Sequence, residues 1–278
     1  MNLKRIAGGA SVIVLTAAAP AAAEEFWLKD VWNDCAIWSE TPPGPQDVMT
    51  WSGKCVEGRA EGKGLVIWTR NNELYARYDG HMLGGKMNGP GVLIEKPDTG
   101  AGFDVVTGVF QDGKPDGPVI YKSADNSFFV GELRDGVMNG QVLWVDALGN
   151  SFEGLMVDGQ ANGPGKSTSA EGEVYEGEFA NDQRNGSGIL RMADGSIFSG
   201  EFSEGVISGA GRYKDLDGNE FVGMFDDDQP NGPGVYWDPN GDVYQGIVKL
   251  GQLDGDFLVT KKDGSQMIKT WNNGEIAK

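Results

Sequence analysis

Glycine returns every 23 residues through most of this chain: Gly108, Gly131, Gly154, Gly177, Gly200, Gly223 and Gly246 are evenly spaced, and Gly80 and Gly53 extend the series upstream at intervals of 28 and 27. A fixed period of this length is the signature of tandem repeats, in which each short unit buries its apolar face against its neighbours. It constrains the chain to one stacked array in place of two globules, and it sends any function to a surface. The 44 glycines suit many turns and a shallow core. Apolar residues recurring at fixed positions exclude disorder.

Numbered from the large apolar residue two before each glycine, the units start at Trp51, Tyr78, Val106, Phe129, Phe152, Tyr175, Phe198, Phe221 and Tyr244, and a broken unit starts at Met267. In Tyr175-Glu-Gly-Glu-Phe179 the first, third and fifth residues share one strand face. The fifth position is apolar throughout, from Cys55 and Met82 to Phe225 and Val248. The periodic glycine therefore lies between two large inward side chains. Lacking a Cβ, it leaves room for an aromatic ring, expected to come from the neighbouring unit, to lie across the backbone.

Position 12 is glycine in every full unit, from Gly62 to Gly255, and position 14 is glycine except at Val119, Val142 and Phe257. Asn-Gly pairs at 88–89, 139–140, 162–163, 185–186 and 231–232 supply the positive φ angles of a tight reversal. A second turn signal, Asp194-Gly195, Asp217-Gly218, Asn240-Gly241 or Asp263-Gly264, closes the later units. Each unit reads as strand, turn, strand, turn, and the array as an all-β antiparallel meander.

The pattern Tyr-x-Gly-x-Phe-x-x-Gly-x-x-x-Gly-x-Gly closely resembles the MORN (membrane occupation and recognition nexus) repeat, and the match runs from Trp51 to the C-terminus. The resemblance implies an elongated, twisted single sheet of β-hairpins with an aromatic-lined groove, Tyr175, Phe179, Phe198, Phe202, Phe221, Phe225 and Tyr244 being its most regular aromatics. Departures are Asp182 and Asp228 at position 8, Lys269 at position 3 of the last unit, and the longer first two units. The segment from Cys35 to Gly58 resembles the opening of exported bacterial members of the family. That likeness makes residues 24–50 an N-terminal cap tied to the array by Cys35 and Cys55, with Cys55 at a position-5 core site and Phe26, Trp27, Trp32 and Trp38 supplying apolar cover.

Residues 1–23 have the character of a secretory signal peptide: Lys4 and Arg5, an apolar stretch from Ile6 to Ala19, then a small-residue cleavage site ending at Ala23. Export to the periplasm or outside the cell follows, and in that setting an isolated cysteine pair is most simply a disulfide. Loss of Lys4 and Arg5 with the leader moves the formal charge from −18 to −20. Such a surface repels nucleic acid and opposes direct binding to anionic membranes. The expected organisation is thus a signal peptide (1–23), a cap segment (24–50) and a repeat array (51–278).

The sequence carries no nucleophilic constellation, since His81 is its one histidine and belongs to the outward-facing fourth position of its unit. Asp226-Asp227-Asp228 and the run from Asp215 to Glu220 lack full calcium-loop spacing. Acidic residues at position 7 (Glu57, Asp112, Asp135, Asp158, Glu204, Asp227) read as solvated turn residues that leave room for weak cation binding. The Gly-x-Gly steps precede no helix and cradle no phosphate. No metal or cofactor is expected. On the outward face, Val109, Val130, Leu155, Val222, Met224 and Ile247 are apolar, and Val222, Met224 and Ile247 cluster in the last two full units. They mark a candidate interface, or else a surface packed by the C-terminal tail. The expectation is an exported, non-enzymatic interaction or scaffold module that binds a protein partner or itself. The rival reading is a glycan- or lipid-surface-binding module using Trp27, Trp32 and Trp38.

Overall fold

The computed structural model describes residues 4–6, 10–12, 25–97 and 101–277. The expected signal peptide and its cleavage site lie outside the described residues, apart from Lys4–Ile6 and Ala10–Val12, whose backbones pair as short antiparallel strands. The described residues contain strands and turns and no helix. They form two compact units, Met1–Gly149 with Met156–Gly159, and Asn150–Leu155 with Gln160–Lys278.

Each unit is an antiparallel meander in chain order. In the second, Val174–Ala180 pairs with Gln183–Arg191, which pairs with Ile197–Ser203, and so on through Val206–Lys214, Glu220–Asp226 and Gln229–Trp237 to Val243–Lys249. In the first, Arg59–Arg70, Glu73–Leu83, Lys86–Glu95, Asp104–Gln111, Lys114–Lys122, Phe128–Arg134 and Val137–Val145 pair in the same way.

The tight reversals are not at the Asn-Gly pairs. They fall four residues earlier, at positions 7 and 8, where both residues take positive φ: Asp112 (49°) with Gly113 (90°), Asp135 (51°) with Gly136 (77°), Asn181 (49°) with Asp182 (68°), and Asp227 (48°) with Asp228 (64°). This is the two-residue turn that matches strand twist and favours Asn, Asp and Gly. The Asn-Gly glycines are left-handed as well (Gly186 at φ 65°, Gly163 at 91°), but they sit inside the return strand. The reason is a conflict of register. The turn pairs Phe179 with Arg184, whereas the middle of the hairpin pairs Gly177 with Gly188. The surplus residues form a bulge, and the left-handed glycine lets the strand absorb them. The later turn signal is a true turn: Gly195 N–H donates to the Met192 carbonyl at 2.9 Å, and Ser196 N–H donates to the Asp194 carboxylate at 2.8 Å.

Where a ring lies on a periodic glycine it comes from the same repeat, not from the neighbouring one. A Cβ placed on Gly177 would sit 2.5 Å from the Tyr175 hydroxyl oxygen, and one on its partner Gly188 would sit 2.5 Å from the same ring. Tyr78 covers Gly80 and Gly91, Phe152 covers Gly154 and Gly165, Phe198 covers Gly200 and Gly211, and Phe221 covers Gly223 and Gly234 in the same manner. A ring two residues along the strand bends back over its own backbone, where the glycine pair leaves a flat floor. The neighbour's contribution is the position-5 side chain, which meets the ring edge-on. Phe152–Phe179, Tyr175–Phe202 and Phe198–Phe225 are T-shaped at centroid distances of 5.2, 4.9 and 5.0 Å, and Tyr175–Phe179, Phe198–Phe202 and Phe221–Phe225 close the ladder within repeats. Such pairs contribute about 0.5–1.5 kcal/mol each beyond area burial.

Where position 14 is not glycine, the floor is filled from the other side. Val119 lies 2.7 Å from a Cβ on Gly108, Val142 lies 2.8 Å from one on Gly131, and the Phe257 ring lies 2.5 Å from one on Gly246. Phe257 thereby displaces Tyr244, which is half-buried between Tyr236 and Trp271 at centroid distances of 5.5 and 6.0 Å.

Candidate interaction surfaces

The inner aromatics do not line an open groove. Tyr175 and Phe198 are 0% exposed, and Phe179, Phe202, Phe221 and Phe225 reach at most 8%. Their faces rest on glycine and their edges on one another, so they are core residues closed to solvent, and only Tyr244 shows a partly open ring. Burial pushes the phenols of Tyr78 and Tyr175 up to about 12. Both hydroxyls donate to a backbone carbonyl, that of His81 at 3.0 Å and that of Glu178 at 2.9 Å.

The outward face of the last repeats stays open. Val222 is 39%, Met224 40% and Ile247 54% exposed. Val222 stands opposite Val235, Met224 opposite Ala210, and Ile247 opposite Pro233, so one sheet face gathers these side chains. The patch is larger than the sequence pattern indicated. Leu258 (38% exposed) stands opposite Ile268 (72%) on the next pair of strands. The tail does not cover it, because Glu275 and Ile276 pair with Asn272 and Trp271 and continue the sheet. Lys249 and Lys261 flank this end in ion pairs with Asp254 and Asp242. The Lys249 ammonium holds the Asp254 carboxyl below its usual range. In the first unit Val130 stands between Ile120 and Leu143, all three exposed, a second outward cluster in which Ile120 and Leu143 belong to return strands.

At the N-terminal end, Phe26–Lys29 and Ala36–Ser39 form a hairpin, and a disulfide joins Cys35 to Cys55 with Cα atoms 5.7 Å apart. Cys35 is fully buried, but Cys55 is exposed and is not a core residue. The strand breaks after Trp51, and Lys54–Val56 pairs separately with Arg59–Glu61, where Cys55 stands opposite Ala60 in the register that position 5 keeps in later repeats. The cap is held by a residue the sequence pattern does not mark. Asp30, 3% exposed, accepts N–H bonds from Trp32 (2.6 Å), Asn33 (3.1 Å) and Trp51.

Trp27, Trp32 and Trp38 make no shared platform. The Trp27 ring covers Gly85 under the Arg59 guanidinium, 3.8 Å from its centroid, and Trp38 covers Gly113 near Lys86, whereas Trp32 is 84% exposed at the hairpin tip. The acidic position-7 residues are the first residues of the tight turns, all exposed and left-handed. Among the described residues no group of three or more His, Cys, Asp or Glu side chains is arranged to hold a metal ion. No helix among them is long and apolar enough to cross a membrane. His81 is exposed on its strand.

Residues 78–94, 152–174, 175–197, 198–220 and 221–243 match the family profile of the MORN repeat. The chain belongs to the MORN-repeat family. All five matched MORN segments begin on a large aromatic, and in each that ring lies on two paired glycines. The MORN repeats starting at Val106, Phe129 and Tyr244, which carry Val119, Val142 and Phe257 in place of the second glycine, lie outside the matched segments. No curated protein sequence matches this MORN chain. Among solved structures, the TCP10 domain of Danio rerio CPAP is similar at 14% identity over 73% of this chain and 93% of that one, with a TM-score of 0.37. The Drosophila melanogaster SAS-4 (dCPAP) TCP domain, solved with a Proline Rich Motif of Ana2 (dSTIL), is similar at 12% identity over 66% and 84%, with a TM-score of 0.33. Likeness at that level carries no argument about this MORN chain.

Proposed function

We propose that this chain is an exported, non-enzymatic scaffold of the cell envelope that engages a protein partner through the outward face of its last repeats. The observation that carries the reading is the set of exposed apolar side chains Val222, Met224, Ile247, Leu258 and Ile268 on neighbouring strands of a sheet whose aromatic face is closed. An apolar patch bordered by charged side chains is the surface a protein partner covers. Export rests on the leader-like first 23 residues and agrees with a disulfide at Cys35 and Cys55. The acidic balance of the chain opposes docking on anionic lipid, and the separated tryptophans argue against a stacked sugar site.

Affinity recovery from envelope extract, with solution mass measured alongside, tests the reading. Met224→Lys with Ile247→Lys should abolish partner recovery or reduce the assembled mass while leaving the melting temperature near that of the parent. Unchanged recovery and unchanged mass would remove the outward face from consideration.

A further inference from the structure

The last long strand of the second unit is covered along only half of one edge. Gln266–Asn272 pairs on one side with Gly255–Thr260. On its other side Glu275 and Ile276 cover Asn272 and Trp271, and Ala277 N–H donates to the Thr270 carbonyl at 2.9 Å. Among the described residues nothing pairs with that side at Gln266, Met267 or Ile268, and all three are exposed. At the cap, by contrast, the edge of Asp47–Trp51 is occupied: Val31 N–H donates to the Met49 carbonyl at 3.3 Å, and the Asp30 carboxylate takes the Trp51 N–H.

Ladder geometry fixes which groups on this edge are free. Successive residues of an antiparallel strand turn their N–H and C=O alternately to one neighbour and to the other. Lys261 N–H donates to the Ser265 carbonyl at 2.8 Å, so Met267 and Lys269, two and four residues further on, bond toward Gly255–Thr260. Gln266, Ile268 and Thr270 therefore face the open side, in agreement with the bond from Ala277 to Thr270. The Thr270 carbonyl is taken, which leaves Gln266 and Ile268 offering both a backbone donor and a backbone acceptor to the open edge. An edge of this kind is a site for pairing with another chain.

We propose that this edge joins a second copy of the chain about a two-fold axis at Met267. Gln266 pairs with Ile268 of the second copy, and Ile268 with its Gln266, each pair exchanging both N–H···O bonds. This register uses both free residues and no occupied one. Pairing Ile268 with itself would set Gln266 against Thr270, whose carbonyl Ala277 already holds. The charges agree with this register. Lys249 and Lys261 at this end are paired with Asp254 and Asp242, whereas Lys269 makes no ion pair among the described residues. The two-fold places Lys269 opposite Ser265 of the second copy, beside its exposed Asp263. Such a contact is self-complementary and closes on itself, so the assembly stops at two. The axis crosses the sheet, so the outward faces of both copies lie on the same side, with Ile268 of each at the seam.

Sedimentation equilibrium of the full chain over rising concentration tests this. The parent should reach the mass of a dimer and no more. Ile268→Pro removes the N–H turned to the open side, and proline is tolerated on an edge whose N–H faces solvent. It should weaken the dimer by about tenfold or more with the melting temperature near that of the parent, while Ile268→Val leaves the dimer intact. Lys269→Glu and Asp263→Lys should each weaken it about tenfold, because like charges then meet at both ends of the seam. Mixed in equal amounts, the two variants should associate with each other about as tightly as the parent does with itself, since every facing pair is then opposite in sign. A parent that stays monomeric or grows past a dimer, an Ile268→Pro dimer of parental strength, or a mixture no tighter than its components would overturn the proposal. Met224→Lys with Ile247→Lys should leave this dimer in place, so it stands or fails apart from the partner proposed for the outward face.

Discussion

The ring of Tyr175 lies against the backbone of Gly177 so closely that a Cβ there would fall 2.5 Å from its hydroxyl oxygen, and also 2.6 Å from the Cα of Gly188 and 2.7 Å from the carbonyl of Ser187. The second and third contacts are backbone, which a rotamer change cannot relieve. Gly177→Val should cost about 3 kcal/mol or more, seen as a fall in melting temperature of several degrees, and Gly200→Val, which meets the Ala210 carbonyl at 2.5 Å, should do the same. Gly44→Ala is the control: its Cβ would touch only Asp47, at 3.5 Å, and should leave the melt unchanged.

Asp182 and Asp228 replace the usual turn glycine and use their carboxylates to stitch repeats. Asp182 accepts the Ala161 N–H and Asp228 accepts the Ile207 N–H, each at 2.7 Å, while their own N–H groups donate to the carbonyls of the same two residues. Asp228→Ala loses the bond, worth about 1.5–3 kcal/mol with a charged acceptor, and retains left-handed strain at φ 64°. Asp228→Gly loses the bond but sheds the strain, and Asp228→Asn keeps both an acceptor and a tolerated φ. Chemical denaturation should rank stability Asn above Gly above Ala; Ala equal to the parent would remove the stitching role.

Alkaline pH should unfold the array through its buried phenols. The Tyr78 and Tyr175 pKa values, at about 12, are raised because burial disfavours the charged phenolate, and Tyr121 is raised for the same reason. A raised folded value makes this stability fully present below the unfolded value of about 10 and lost as pH rises through the folded one. Tyrosinate absorbance should lag a free-tyrosine curve and then rise together with loss of the β-sheet signal. Titration of these residues near the free value with the sheet intact would contradict it.

Asp30 and the disulfide should share control of the cap. Asp30→Ala leaves the N–H groups of Trp32, Asn33 and Trp51 without their acceptor. The expected loss is about 1–3 kcal/mol, because the Trp51 donor is buried while Trp32 and Asn33 are exposed and can turn to water. Reduction of Cys35–Cys55, a loop of 20 residues, should cost about 3 kcal/mol on the chain-entropy account. Hydrogen exchange should quicken at Ala36 and Trp38, whose N–H groups bond the first turns; protection unchanged in both cases would mean the cap is held by other contacts.

The sequence alone determined the period, the strand alternation and the all-β class, because a glycine every 23 residues between two inward side chains admits few other readings. It also identified Val222, Met224 and Ile247 as apolar on an outward face, since strand period is local. Tertiary structure decided the rest. Whether Asn-Gly forms a turn or a bulge depends on which register the facing strand imposes at Gly177 and Gly188. Which ring covers a glycine depends on side-chain direction, so Tyr175 covers its own repeat and Phe257 displaces Tyr244. Leu258 and Ile268 join the outward patch only through pairing. Asp30 gained its place from Trp51, a partner 21 residues away. Local pattern fixes what each residue offers, while cross-strand register and backbone hydrogen bonding choose the neighbour that receives it.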